Sequence, residues 1–214
     1  MLKTASSFFF LLILSCAAGC QMPVESRDFP ALHERREPIT RIAVAPFQTT
    51  GRLARAPVPA TATPSSVATA LVARYLTEAI AARGVSVVSA DDVALAFTVE
   101  GSAGERLVPR AVAEVVAAKF GADALLLGSV SRFDERRGQA AGTLHPASVG
   151  FEVTLYTAPG AQKLWKGVFS ETQQALSENI LSTYRYPGGG MRWLSAEELA
   201  KWGAEETVLQ LPIR

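Results

Sequence analysis

The chemistry open to this chain is limited first by its histidines, of which it has two. A serine or cysteine nucleophile needs a neighbouring base, and histidine is the commonest one. His33 lies in a charged, proline-bearing stretch with no second metal ligand nearby, and we expect a solvated side chain. His145 lies in a predicted loop and completes no triad. We therefore predict no enzyme activity, cofactor or metal, although a deep polar cleft joining Asp91, Asp123 and His145 would favour a hydrolase.

Adjacent carboxylates are the next candidates for acid–base chemistry, and they occur at 91–92, 197–198 and 205–206. Neighbouring positions on a helix point in different directions, and acidic residues suit a helix start or a solvated face. The glycine run 188–190 lacks the lysine, the following serine or threonine and the preceding strand of a phosphate loop. These residues predict neither a carboxylate pair for catalysis nor a nucleotide site.

One segment near the C-terminus is rich in residues that dominate protein-binding surfaces. A glycine run interrupts it, and its candidate partner-binding residues are Tyr184, Arg185, Tyr186, Met191, Arg192 and Trp193. Two interpretations stay open. The segment contacts a partner, or its aromatic side chains fold back onto the core beside Trp165 and Trp202.

Both cysteines, Cys16 and Cys20, lie in an N-terminal segment that has the anatomy of a secretory signal. Lys3 precedes an apolar run, Phe8–Leu14, that is too short to span a membrane. Ala18-Gly19-Cys20 resembles a lipoprotein cleavage site, although Ala17 stands where the pattern prefers leucine. We predict a signal peptide over 1–19 and acylation of Cys20, with Cys16 or ordinary secretion as the alternative.

The rest of the chain has no cysteine, which excludes a disulfide framework and a cysteine-based metal site. With 214 residues, 49% hydrophobic and 19% charged, it is long enough for one domain. The formal charge of +1 does not favour nucleic acid. Residues 20–40 carry three prolines and no periodic pattern, so we predict a flexible tether there and one domain over 41–214.

Within that domain, apolar patterning predicts strands and helices in the order β-α-β-α-α-β-β-β-α. The predicted strands are 41–47, 85–89, 122–130, 147–157 and 162–172, and the predicted helices begin near 64, 91, 109 and 196. The last two strands form a hairpin. The fold class is α/β, a two-layer or three-layer sandwich with a mixed sheet of about five strands.

Strands like Ile42–Phe47 and Val85–Ser89, and Phe120-Gly121-Ala122-Asp123 before the apolar strand 125–130, resemble the periplasmic α/β domain of CsgG, LpoB and the N-terminal domain of TolB. The resemblance covers about residues 40–170. It implies a binding or assembly role in the cell envelope without catalysis. Gly121 also has a local reason, since glycine ends helices, and Gly128 permits a close backbone approach.

We therefore expect a lipid-anchored accessory lipoprotein of the envelope that binds another envelope protein. Gln21 after the cysteine, by resemblance to enterobacterial sorting, indicates the periplasmic face of the outer membrane. A subunit of a CsgG-like secretion channel is the second hypothesis, because strands of the predicted hairpin have one apolar face. An envelope hydrolase is the third. The partner's identity stays open, as does formation of a homo-oligomer.

Overall fold

The computed structural model describes residues 23–35, 37–51, 64–99, 108–140, 142–174, 186–187 and 192–213. It contains a mixed seven-stranded sheet, helices on both faces and a separate two-stranded ribbon. The strands are β1 (Val24–Asp28), β2 (Arg41–Val44), β3 (Gln48–Thr49), β4 (Ser86–Val88), β5 (Ala124–Asp134), β6 (Arg137–Gln139), β7 (Gly142–His145), β8 (Ser148–Thr157) and β9 (Lys163–Thr172). The helices are α1 (Pro30–Glu34), α2 (Pro64–Ala82), α3 (Ala90–Val99), α4 (Pro109–Phe120) and α5 (Ala196–Leu209).

The sheet combines a parallel half with an antiparallel half. Its strand order is β1-β9-β8-β5-β2-β4, and the short β3 also pairs with β5. Strand β2 runs parallel to both β4 and β5, while β8, β9 and β1 each run antiparallel to their neighbours. The predicted mixed α/β fold is confirmed. The sheet exceeds the predicted five strands because β1 and β3 were not foreseen.

The core lies on both faces of the sheet, which makes the sandwich three-layered. Alternate residues of β2 point to opposite sides. Ile42 and Val44 join a large apolar cluster with α2 and α5, whereas Ala43 and Ala45 join a smaller cluster with α3 and α4. The small alanine side chains allow the second helix pair to lie close to the sheet.

Local signals in the sequence explain how several elements begin and end. Ser195 accepts a hydrogen bond from the Glu198 backbone N–H, and the Glu198 side chain accepts one from the Ser195 N–H, so α5 starts with a complete capping box. Gly121 ends α4 in a left-handed conformation with φ of 60°. A Cβ at Gly128 would overlap the ring of Phe47, which confirms the close approach expected there.

The prediction of a flexible tether over residues 20–40 is wrong for the described part of that range. Val24–Asp28 pairs along its length with Trp165–Phe169 as an edge strand, and Pro30–Glu34 is a short helix. In β1 Val24 is buried and the other four residues are exposed. The strand is therefore held mainly by backbone hydrogen bonds, which leave no alternating pattern in the sequence.

The predicted hairpin of the last two strands is confirmed, and one predicted core position is corrected. The predicted hairpin is β8–β9, but β5 pairs with β8 and β1 pairs with β9, so both of its outer edges are occupied within the sheet. A hairpin paired on both sides is not free to join a channel wall in this arrangement. The spacing of Leu199, Trp202 and Leu209 predicts that all three face inward from the last helix, but Leu209 is 69% exposed at the end of α5.

Candidate functional site

An apolar groove of about 590 Å³ lies beyond the carboxyl ends of β2 and β4. Its walls are residues 66–78 of α2 and the amino-terminal half of α3, and these two helices pack on opposite faces of the sheet. The lining residues are Pro46, Phe47, Ser66, Val67, Thr69, Ala70, Leu71, Ala73, Arg74, Thr77, Glu78, Ser89, Ala90, Asp91 and Ala94. In open α/β sheets this crevice is the usual place for a ligand.

The groove exists because α2 carries apolar side chains on more than its buried face. Val72 and Ile80 are fully buried against the sheet. Val67 lines the groove and is 52% exposed, while Leu71, one turn later, is half-buried. Phe47 is 8% exposed over Gly128 and also lines the groove. The apolar surface is therefore wider than packing of the helix on the sheet requires.

The exposed apolar side chain of Leu95 on α3 lies outside the groove. It follows the groove-lining Ala94 and is 63% exposed. Because adjacent positions on a helix point in different directions, Leu95 does not extend the groove surface. The exposed apolar surface of the groove is that of Val67 and the half-buried Leu71, and an exposed apolar patch is typical of a binding site.

Charged groups of both signs lie on the groove's rim. The Arg74 Nε is 3.7 Å from the Glu78 Oε1, and an Arg74 Nη2 is 3.7 Å from the Glu197 Oε1. Tyr75 donates its hydroxyl to Glu197, and burial together with this hydrogen bond raises the pKa of Tyr75. Asp91 is exposed in the first turn of α3. These contacts fix the positions of the Arg74, Tyr75 and Glu197 side chains at the rim of the groove.

The hydroxyl groups of the groove are committed to helix ends and turns. Thr69 donates its hydroxyl to the carbonyl oxygen of Ser66, 3.0 Å away. The Ser89 hydroxyl donates to Asp92 at 2.6 Å and accepts from the backbone N–H of Asp92, which makes Ser89 a cap for α3. Among the described residues that line the groove there is no histidine, cysteine or lysine. The groove is therefore suited to binding an apolar group.

The three residues whose proximity would favour a hydrolase lie in separate places. Asp91 lines the apolar groove, Asp123 lies where β5 begins, and His145 lies on the ribbon. Asp123 Oδ2 accepts hydrogen bonds from Thr40 N, Thr40 Oγ1 and Arg41 N at 2.8, 2.6 and 2.9 Å. Burial opposes ionisation of Asp123, but these hydrogen bonds outweigh it and lower its pKa. Asp123 is therefore a structural link between β2 and β5.

The adjacent carboxylates also have structural positions. Asp91 and Asp92 lie in the first turn of α3, and Glu197 and Glu198 in the first turn of α5, where acidic residues favour the helix dipole. Glu205 is exposed on α5. Within the described residues, no group of three or more histidine, cysteine, aspartate or glutamate side chains is placed to hold a metal ion.

Tyr186, a predicted partner contact, is instead a core residue. It is 2% exposed, its ring centroid lies 5.2 Å from that of Trp202, and its hydroxyl donates to Glu171 Oε1 at 2.5 Å. Glu171 is itself 9% exposed. The partner role expected for Tyr186 is thus corrected, since a side chain enclosed in this way is not accessible to another protein.

Arg192 and Trp193 lie nearer the surface than Tyr186. Arg192 Nη2 is 2.7 Å from Glu198 Oε1 and its Nη1 is 2.9 Å from Glu198 Oε2, a bidentate pair. Hydrogen bonding from Arg192, opposed by partial burial, lowers the pKa of Glu198 to about 2. Trp193 is half-buried, and its backbone N–H donates to Ala140 O at 2.9 Å. A partner role for both residues stays a prediction.

Several predicted residues lie outside the described part of the chain, namely Cys20, Gln21, Tyr184, Arg185 and Met191, together with the glycine run 188–190. Their predicted roles therefore stay predictions. Among the described helices, none is both long and apolar enough to cross a membrane.

Sequence reasoning missed the groove because Val67 and Leu71 fit the buried stripe of α2. The available signal was an apolar residue in the first turn, before the buried part of that stripe begins.

No protein-family model matches the chain, and a search of curated proteins finds no relative. Among solved structures, it is similar to a PelC dodecamer subunit from Paraburkholderia phytofirmans (15% identity, TM-score 0.47, 87% of this chain and 96% of that one). It is also similar to lipoprotein GNA1162 from Neisseria meningitidis (19%, 0.42, 67% and 88%). A third similarity is to the LpoB C-terminal domain from Escherichia coli (18%, 0.39, 67% and 94%). LpoB was among the families that the sequence resembles.

Proposed function

We propose that this protein is a non-catalytic accessory lipoprotein of the bacterial cell envelope that binds another envelope protein through the groove between α2 and α3. The observation that carries the binding role is the apolar surface formed by Phe47, Val67 and Leu71. Exposing this surface to water costs free energy that a partner would recover by covering it. The sequence Ala18-Gly19-Cys20 supports the lipid anchor.

The proposed occupant is an amphipathic helix of the partner protein. Two helices and a loop form the walls of the groove, and its floor is apolar, which suits the docking of one apolar helix face. Glu78 and Asp91 contribute acidic groups on the rim, and Arg74 is already paired with Glu78. A docked helix would therefore carry a basic residue beside its apolar stripe, opposite Asp91.

The other two functions considered from sequence lack a supporting observation. The channel hypothesis depended on a hairpin whose two outer edges are both paired within the sheet, with β1 and with β5. The hydrolase hypothesis depended on a cleft joining residues that lie in three separate places. Neither is proposed here.

The groove is tested with two matched substitutions in the full-length protein. Val67→Glu places a charge in the groove, and Val108→Glu places one at a comparably exposed valine beyond it, since the two side chains are 52% and 57% exposed. The tagged proteins are purified from detergent-solubilised envelopes after chemical cross-linking. We expect one stoichiometric partner that is lost with Val67→Glu and retained with Val108→Glu.

Retention of the partner with both variants would overturn the groove as the binding site. Purification of the chain as a large homo-oligomer with no other protein would overturn the accessory role itself. Mass spectrometry of the N-terminal peptide tests the anchor separately, because acylation at Cys20 adds a mass that Cys20→Ala removes.

A further inference from the structure

The folded body begins only four residues after Cys20. Val24, the first residue of β1, is 3% exposed, pairs with Phe169, and its carbonyl accepts a hydrogen bond from Gln210 Nε2 at 3.2 Å. Gln21, Met22 and Pro23 are the residues between Cys20 and Val24. An extended chain of this length spans at most about 14 Å. An acylated Cys20 would therefore hold the body at the membrane, not on a long tether.

The direction of β1 identifies the end of the sheet nearest to the anchor. Because β1 is antiparallel to β9, moving back from Val24 leads along β9 from Phe169 towards Thr172. Thr172 lies three residues further, or about 10 Å. It pairs with Ser148, which pairs with Asp134, so these three residues form one row at the end of the sheet. This row therefore lies within the reach of an acylated Cys20, whereas the Lys163 end of β9, six residues from Phe169 in the other direction or about 20 Å, lies beyond it.

The β6–β7 ribbon connects to the sheet at the same row. It occupies the connection between Asp134 and Ser148, so it lies at the end of the sheet that the anchor reaches. Leu144 on the ribbon is 85% exposed, more than any other large apolar side chain among the described residues. The ribbon is tied to the body, since Trp193 N–H donates to Ala140 O and Arg136 donates to the carbonyl of Trp193.

One exposed arginine lies beside Leu144 on the ribbon. Arg137 is exposed and pairs with His145, the residue after Leu144. Arg132 and Arg136 are half-buried and donate to carbonyl oxygens of the body, at Val149 and Trp193. The exposed Glu135 accepts hydrogen bonds from the backbone N–H groups of Arg136 and Ala196, at 3.0 and 3.1 Å. An exposed leucine beside an exposed arginine suits an interface of acyl chains and anionic headgroups.

We propose that the Asp134–Ser148–Thr172 end of the sheet faces the bilayer and that the β6–β7 ribbon places Leu144 at the boundary between headgroups and acyl chains. The proposal rests on acylation of Cys20, which is part of the proposed function. The three residues between Cys20 and Val24 limit the distance between the membrane and the body, and the ribbon supplies the lipid contact.

The test uses the full-length acylated protein in vesicles of phosphatidylethanolamine and phosphatidylglycerol. Leu144→Cys adds a thiol for an environment-sensitive fluorophore, and the acylated mature chain has no other free thiol, since its remaining cysteine is Cys20. Leu95→Cys is the matched control at 63% exposure. Lys119 Nζ donates to Ala96 O, and α4 ends at Gly121 just before β5 begins, so Leu95 lies towards the opposite end of the sheet.

We expect lipid-borne quenchers to remove the fluorescence of the probe at 144 and to leave that at 95 unchanged. Insertion of a flexible 20-residue glycine-serine linker between Met22 and Pro23 is expected to abolish the quenching at 144. Persistent quenching in the linker variant would overturn the claim that the short connection sets the distance.

The outcomes separate this inference from the proposed function. If mass spectrometry shows no acyl group on Cys20, the anchor is wrong and this inference falls with it. If Cys20 is acylated but the probe at 144 is not quenched, or is quenched no more than the probe at 95, only the orientation is wrong. A probe at Leu209→Cys, near the contact of Gln210 with Val24, that is quenched instead of the one at 144 would overturn it in the same way.

Discussion

Replacing Tyr186 with phenylalanine or alanine tests whether the segment before α5 belongs to the core. Phenylalanine keeps the ring against Trp202 and removes the hydroxyl that donates to the Glu171 carboxylate. Loss of a hydrogen bond to a charged group costs about 1.5–3 kcal/mol. Alanine also removes a ring that is 98% buried, and large-to-small changes of aromatic residues cost about 3–5 kcal/mol. The free energy of unfolding should therefore fall in two steps.

Urea denaturation followed by tryptophan fluorescence measures both steps, because the Tyr186 ring lies beside Trp202. A matched substitution, Trp193→Ala, removes a half-buried side chain and is expected to cost less than Tyr186→Ala. The decisive comparison includes partner capture. If Tyr186→Ala abolished capture while its denaturation midpoint stayed unchanged, Tyr186 would be a contact residue and its placement in the core would be refuted.

Three further substitutions probe how the sheet and helix ends are stabilised. Gly128→Ala forces the Phe47 ring to move and should destabilise the fold by about 1–3 kcal/mol, measured by thermal unfolding; an unchanged melting temperature would contradict the close contact. Asp123→Ala leaves two backbone N–H groups without their acceptor and should lower the free energy of unfolding by about 1–2 kcal/mol at neutral pH. The difference in stability from the original chain should shrink below pH 4, as Asp123 of the original chain becomes protonated. Glu198→Gln should lower the free energy of unfolding by about 0.5–1 kcal/mol above pH 4.5, a value that allows for solvent screening of the exposed pair with Arg192. Because folding lowers the pKa of Glu198, the stabilisation is present above the pKa of the unfolded chain and is lost as pH falls towards 2. A difference between the two proteins that did not change with pH would refute this assignment.

The elements that the sequence predicts correctly are those whose ends or burial are determined by residues close together in the chain. The Ser195–Glu198 spacing gives the capping box of α5 because both partners lie within one helical turn. Gly121 ends α4 because a left-handed residue is required there. Strand β5 is recognisable because it is buried on both faces at Ala124–Leu126 and therefore reads as a continuous apolar run. In each case the determining interactions are local or come from uniform burial.

The elements that were missed depend on distant parts of the chain. Strand β1 is created by the free edge of β9, which is about 140 residues away, and its sequence need supply only one buried residue, Val24. The groove is missed for a related reason. An apolar residue such as Val67 has the same pattern whether it meets another helix or an open crevice, and only the position of α3 decides between them.

The distance between the groove and the membrane limits which part of a partner protein can reach the groove. Phe47, which lines the groove, lies over Gly128 of β5, two residues before Val130, and Val130 lies in the same row of the sheet as Phe151, Phe169 and Val24. The row that we propose faces the membrane is six residues from Gly128 along β5, or about 20 Å. A helix that fills the groove would then lie about that far from the lipid surface, within reach of a segment that follows a membrane anchor. We therefore predict that the partner contributes a juxtamembrane helix. The 20-residue linker after Met22 should weaken its cross-linking at position 67, and equal cross-linking with and without the linker would contradict a membrane-proximal partner.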